Sequence, residues 1–353
     1  MTYDAVLLAS FGGPEGPDDV IPFLERVTEG RDVPRERIEQ MSQRYARFGG
    51  VSPINQQNRE LMNALHHELM DRGIDLPIYW GNRNWEPDFT DAIRTLDEDG
   101  HTRVLAVATS AFPSYSGCRQ YRENIAAALE EADASHISID KAYPYSNRHG
   151  FTANTIEVLA NALVYLTDEN HLESAIEVLF TTHSLPLSSA ETSGPAPHTP
   201  PGLYVQQHQA AMAEIMRVIG IASSLRPRGR LVFQSRSGAP GTPWLEPDIN
   251  DVLEEVAAAG NTTAVVIVPL GFVSDHMEVV WDLDTEALST AENLNLQVIR
   301  IPTPGIAPSF VSALADVIED AKLGHPTRSD IVGLCSGTCC PNPRSELPAI
   351  PGV

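Results

Sequence analysis

The chain of 353 residues carries a formal net charge of -23, with 42% hydrophobic and 20% charged residues. That length exceeds one ordinary core and implies two domains in a globular protein. The negative field excludes non-specific binding to nucleic acid or to an anionic membrane surface; no apolar run reaches the roughly 18 residues of a membrane span, and Met1-Thr2-Tyr3-Asp4 lacks a basic export signal, so a cytoplasmic location is expected.

Apolar, strand-like runs occur at 5–10, 76–80, 104–108 and 137–140, separated by helix-like segments such as 57–71 and 120–131. The second half repeats the arrangement with runs at 176–181, 230–234, 263–269 and 296–300. Strands alternating with helices predict an α/β fold whose parallel sheets are covered on both faces. This gives two similar four-strand halves, 1–150 and 151–325, divided near 145–160. A helix from about 308 to 323 is expected to close the second half or to pack back across the first. Beyond His325 the composition turns to Pro, Gly, Ser and Cys, which reads as a tail, 326–353, that a metal can order.

Ligands of open parallel sheets bind beyond the carboxyl ends of the strands, which directs attention to 10–14, 81–85, 109–112, 182–186, 234–238 and 269–272. His183 comes directly after its strand, where an imidazole can take a proton or bind a divalent metal; a hydrogen-bonded structural histidine fits the same position. Glu278, Asp282 and Glu286 stand four apart, so at about 100° per helical residue they keep within an arc of roughly 80°. Such an acidic line suits the passage of a cation or of protons, and equally the solvated face of an amphipathic helix. Arg44, Tyr45 and Ser52 in one segment, and Tyr121 in another, supply cations, phenols and a hydroxyl able to hold a flat aromatic anion, or else ordinary helix surface and caps. No Gly-rich phosphate loop and no nucleophile elbow is present.

Of four cysteines, Cys335, Cys339 and Cys340 cluster near the C-terminus, unlike a secreted disulfide framework. A soft-metal site is the reading, with Cys118 as the one further thiol. Zinc held by three or four of these thiolates, or free reactive thiols, are the alternatives.

Phe11-Gly12-Gly13-Pro14, Arg44-Tyr45 with Gly49-Gly50-Val51-Ser52-Pro53, Gly81-Asn82-Arg83, Thr182-His183-Ser184-Leu185-Pro186, Gln234-Ser235-Arg236-Ser237-Gly238, Pro243-Trp244-Leu245-Glu246-Pro247 and Gly271-Phe272-Val273-Ser274-Asp275-His276-Met277-Glu278 succeed one another in order. On these segments the chain resembles the ferrochelatases, which insert Fe(II) into a porphyrin. The resemblance implies two Rossmann-like domains, each with a four-stranded parallel sheet flanked by helices, and a porphyrin in the cleft between them. It implies His183 and Glu278 as the inner site for metal and proton, Asp282 and Glu286 as outer acids of a metal relay, and Ser52, Tyr121, Arg44, Tyr45 and Phe11 as porphyrin contacts. Phe11 replaces a tyrosine able to ligate iron in some bacterial relatives, and Thr28 replaces an arginine.

An acidic segment at 15–20 stands where membrane-acting members carry an apolar lip, which favours a soluble porphyrin with four carboxylates, coproporphyrin III, over protoporphyrin IX. A non-catalytic tetrapyrrole carrier and chelation of cobalt or nickel are the other readings. The cysteines resemble those of cluster-bearing members, which implies a [2Fe-2S] cluster on Cys118, Cys335, Cys339 and Cys340, with a tail spacing and an internal position, Cys118, that both depart from the animal enzymes. A monomer working with upstream and downstream haem-pathway enzymes completes the expectation.

Overall fold

The structure, a computed structural model, describes every residue except 1–2, 31–32, 170–171, 173–174, 223–225, 237–240, 325–334 and 336–337. The first half runs β1 (Ala5–Ser10), α1 (Val20–Thr28), α2 (Arg35–Ala46), α3 (Ile54–Asp71), β2 (Ile78–Asn82), α4 (Phe89–Glu98), β3 (Arg103–Ala108), α5 (Gln120–Glu131) and β4 (Ser138–Lys141). The second runs α6 (His149–Asp168), β5 (Ile176–His183), α7 (Leu187–Glu191), α8 (Leu203–Ala222), β6 (Arg228–Gln234), α9 (Ile249–Ala259), β7 (Ala264–Val268), α10 (Met277–Trp281), α11 (Leu288–Asn293), β8 (Gln297–Arg300) and α12 (Pro308–Lys322). Among the described residues no helix is long and apolar enough to cross a membrane.

Two four-stranded sheets result, ordered β2-β1-β3-β4 and β6-β5-β7-β8, with every neighbouring pair parallel. Central strands such as β1 (AVLLAS) and β7 (AVVIV) are buried along their whole length, as strands covered by helices on both faces must be. In each sheet the order reverses beside the first strand, between β1 and β3 and between β5 and β7. The carboxyl ends of those pairs therefore splay their loops apart and leave a crevice.

The largest apolar cluster draws on both halves, with Val6, Leu65, Leu105 and Phe151 joined to Phe180, Val266, Phe310 and Ile318. Phe151, Phe180 and Phe310 are fully buried, each contributing roughly 2–3 kcal/mol of transfer free energy. The α12 helix takes the second course read from sequence and crosses back over the first half. Arg72, at the end of α3, reaches its Asp316 at 2.6 Å and the Ser312 carbonyl at 3.1 Å.

Helices α1 and α2 leave the first sheet as an excursion with a small core of their own, Val20, Phe23, Leu24, Ile38 and Tyr45, into which Met277 of the second half inserts. The end of the stretch read as a tail, 326–353, docks on the first sheet. Lys141 N–H donates to the Pro351 carbonyl at 2.9 Å, and Tyr143 N–H to that of Val353 at 2.8 Å, so the last residues pair with the free edge of β4. Backbone pairing needs no side-chain pattern, which is why composition did not reveal it.

Candidate active site

His183 is the last residue of β5, at the crevice beside β7. Its Nδ1 lies 2.5 Å from the Ser184 carbonyl, an acceptor only, so Nδ1 carries a proton and Nε2 is the ring nitrogen left for other partners. That Nε2 is 3.8 Å from Oε2 of Glu278, and the two side chains are 33% and 54% exposed, so both face open space. Behind the imidazole, the Tyr204 hydroxyl donates to the His183 carbonyl at 2.9 Å and lies 2.6 Å from Thr182 Oγ1. Gly271 lets the neighbouring loop pass this strand, since a Cβ there would strike the Thr182 hydroxyl.

Glu278 occupies the first turn of α10, whose N-cap is His276. The acidic line does not continue as the regular α-helix expected from its spacing. Residues Asp282–Ala287 form a π-helical turn between α10 and α11, and its i→i+5 bonds widen the coil so that residues four apart come closer to one line than in an α-helix. Asp282 is only 6% exposed, which removes the solvated-face reading for the middle of the line. Ser235 Oγ donates to its carboxylate, and Gln234 Nε2 sits 3.4 Å away. Burial pushes the Asp282 pKa up to about 6, with the charges of Glu278 and Glu286 adding to the effect and the Ser235 bond opposing it.

Glu286, at the outer end, lies 3.8 Å from Arg44 Nη2. Arg44 and Arg47 place their guanidiniums 5.1 and 5.2 Å from the Trp281 ring. A cavity of about 420 Å³ opens there, lined by Arg47, Asn250, Trp281, Thr285 and Glu286 among others. The acids thus run from a cleft, through a buried position, to an open outer pocket. Among the described residues no three His, Cys, Asp or Glu side chains close around one point as an ion site.

Of the residues read as porphyrin contacts, Phe11 and Tyr45 gather at the small core of α1 and α2, while Arg44 reaches Glu286 and Trp281. Phe11 and Tyr45 both pack edge-on against Phe23, with centroids 6.3 and 6.1 Å away. The Tyr45 phenol is pushed well above its usual pKa by burial and then by the charge of Glu278, which sets the two elements side by side. Ser52 and Tyr121 sit deeper. Ser52 is buried beneath Gly13, where any Cβ would collide with it, and Tyr121 belongs to the apolar core of the first half with the Arg83 guanidinium 3.8 Å from its ring. Thr28 bonds the Leu24 carbonyl of its own helix at 2.6 Å. Ser237 and Gly238 lie outside the described residues.

Sequence reading did not single out three neighbours of this site. His276 packs against Phe272 with centroids 5.3 Å apart; burial lowers its pKa, and it feels the charges of Glu278 and His183. Its place two residues before Glu278 was the available signal. Asp275 pairs with Arg300 at 2.5 Å, and its N–H donates to Gln57 of α3 at 2.7 Å, pinning the loop before α10 to the first half. Tyr204, 21 residues beyond His183, offered no local signal at all.

Cys118, Cys339 and Cys340 are buried and Cys335 is half-buried. Their thiols stand in a chain of contacts, Cys118 with Cys335, Cys335 with Cys339, and Cys339 with Cys340 at 3.8 Å between sulfurs. The bond from Cys118 lowers the Cys335 pKa, but the bond to Cys339 and burial outweigh it and bring it to about 11. Lys141 and Arg122, 2% and 3% exposed, both act on these thiols with positive charge. Donor type and local charge fit a thiolate-held metal group, although in their present positions the described thiols do not enclose one.

The Ferrochelatase family model matches residues 3–322. The "Coproporphyrin III ferrochelatase" of Streptomyces coelicolor is 48% identical over 99% of this chain and 96% of its own length. That of Leifsonia xyli subsp. xyli is 47% identical over 100% and 95%. Among solved structures, "SirB from Bacillus subtilis with Fe3+" aligns with a TM-score of 0.51 at 12% identity, covering 94% of this chain and 100% of that one, a likeness of fold. With the whole two-sheet body matched and His183 and Glu278 facing one cleft, the chain belongs to the ferrochelatase family.

Proposed function

We propose that the protein inserts ferrous iron into coproporphyrin III, releasing two protons, and that His183 and Glu278 are its reaction centre. The observation that carries the reading is His183 Nε2 standing 3.8 Å from Glu278 Oε2 on one side of the cleft, with the line of acids running on to Asp282 and Glu286. Insertion removes two pyrrole protons while a hydrated ion exchanges its water for ring nitrogens. His183 takes a proton at Nε2, and Glu278 stabilises the resulting imidazolium and the arriving cation. Asp282, with a pKa near 6, passes between charged and neutral forms close to working pH, which suits a proton or cation step between Glu278 and the outer Glu286.

The two halves, 1–150 and 151–325, serve in this reading as opposing walls, with Phe11, Tyr45 and Arg44 against the macrocycle. Ser52 and Tyr121 act from beneath, Ser52 by shaping the 10–14 loop and Tyr121 by supporting Arg83. Relatives named for coproporphyrin III support the choice of a tetracarboxylate substrate. Arg44, Arg47 and Arg83 offer local cations in an otherwise acidic molecule. The reading extends to a cytoplasmic enzyme.

Cys118, Cys335, Cys339 and Cys340 are proposed to hold a [2Fe-2S] cluster, a group ligated by four thiolates. The buried charges of Lys141 and Arg122 support this, because an all-thiolate centre is anionic and would otherwise be costly to bury.

The test offers Fe(II) with coproporphyrin III and protoporphyrin IX side by side. Preferred turnover of coproporphyrin III is expected, and His183→Ala should lose insertion while still quenching on porphyrin binding. Porphyrin binding without any insertion by the parent enzyme would turn the reading to a carrier.

A further inference from the structure

We propose that Tyr204 is a positioning residue for His183, and that the Cys340 end of the tail bears on the imidazole through it. The proposal rests on the reading of His183 as proton acceptor. The second sheet is asymmetric at this point. β5 pairs with β6 as far as His183↔Gln234, but with β7 only as far as Phe180↔Val268. Residues 181–183 therefore overhang the sheet on the β7 side.

Thr181 finds a loop partner there, its carbonyl taking the Gly271 N–H at 3.0 Å. The His183 carbonyl takes the Tyr204 hydroxyl instead. A phenol has one proton, so with Tyr204 donating to His183, Thr182 Oγ1 must donate to the phenol oxygen at 2.6 Å. The ring thus holds the chain at two successive residues, one of which carries the reactive imidazole.

Tyr204 is itself fixed by more than packing. Its N–H donates to Ser193 Oγ at 2.8 Å, and Ser193 Oγ donates to the Ala190 carbonyl at 2.5 Å. The next residue, Gly194, is clasped by the tail: its N–H points at Cys340 Sγ at 3.1 Å, and Cys340 N–H donates to its carbonyl at 3.1 Å. A path of direct contacts runs Cys340, Gly194, Ser193, Tyr204, His183. Displacing Cys340 moves the 193–194 turn, and that turn sets where the phenol stands.

The experiment tracks the His183 ring by NMR in ¹⁵N-histidine-labelled full-length enzyme, assigned by the signal missing from His183→Ala, alongside insertion kinetics. Tyr204→Phe is expected to shift the His183 resonances, to lower kcat by roughly 10- to 100-fold while KM for the porphyrin stays within about twofold, and to displace the acid limb of the pH–rate profile. Thr182→Val, which removes one arm of the bridge only, should move the same signals less. Cys340→Ala should shift them while leaving Tyr204→Phe with no additional effect of that substitution. Unshifted His183 signals in a folded Tyr204→Phe enzyme would overturn the proposal whatever His183 does, and shifted signals with parental kcat would overturn the positioning role. Signals that respond to Tyr204 but not to Cys340 would overturn the link to the tail. Full activity of His183→Ala would instead sink the underlying reading, and is seen in a separate arm.

Discussion

Asp282 concentrates the electrostatic tension of the site in one side chain. Burial raises its pKa from 3.8 to about 6, so in the native state it holds a proton that the unfolded chain releases. Native stability from this group is therefore fully present below pH about 4 and is lost as pH rises through about 6; two pKa units correspond to up to about 3 kcal/mol. Asp282→Asn keeps an acceptor for Ser235 and has no charge to bury. In metal-free enzyme with chelator, the variant is expected to unfold at a higher temperature than the parent at pH 8, with the difference vanishing near pH 4. Its insertion rate should fall at limiting iron. A variant less stable than the parent at pH 8 would mean that the charge is compensated in the fold. The opposite polarity occurs at His208, buried on Phe112 with ring centroids 3.5 Å apart and a pKa lowered to about 3 by burial. There the unfolded state takes the proton first, so stability is present above pH about 6.5 and falls as pH drops towards 3; His208→Gln should blunt the loss on acidification, read as the change in melting temperature between pH 7 and pH 4.5.

At the scale of elements, the site depends on how loops pass the end of β5. Gly271 lies against Thr182, and replacing it with Ala places a methyl on the hydroxyl that Tyr204 needs. Gly271→Ala is expected to cost about 1–3 kcal/mol of stability as an overpacked contact and most of the insertion rate, checked by denaturation and turnover of the same preparation. A variant with parental turnover would show that the overhang tolerates movement. These elements differ in how far sequence disclosed them. The buried parallel strands were legible because a strand covered on both faces is an apolar run; His183 stood out because it directly follows such a run, and Glu278 because it heads a line of acids four apart. The second strand, read at 76–80, forms at Ile78–Asn82, since Pro77 has no N–H for the ladder and serves only as an acceptor for Val6. The π-helical turn Asp282–Ala287 was illegible, because no residue in it demands a widened coil. Tyr204 and the clasp of Cys340 on Gly194 were illegible for a related reason. Bonds between a side chain and a distant backbone leave no periodic trace.

For the molecule as a whole, a charge of -23 acts oppositely on the two proposed substrates. Fe(II) is drawn towards the acidic body and along the line ending at Glu286, whereas a tetracarboxylate porphyrin is repelled until it meets Arg44, Arg47 and Arg83 at short range. Added salt screens the long-range part of both effects, because the Debye length falls from about 30 Å at 0.01 M to about 10 Å at 0.1 M. The half-saturating concentration of iron should therefore rise between these ionic strengths, and that of coproporphyrin III should fall, each by roughly two- to fivefold. Two half-saturation curves at each salt concentration, with the other substrate held in excess, provide the measurement. Movement of both constants in the same direction would mean that local contacts, and not the field of the protein, govern approach. An opposite movement that disappears for iron alone in Glu286→Gln would trace its part in the steering to the outer end of the acidic line.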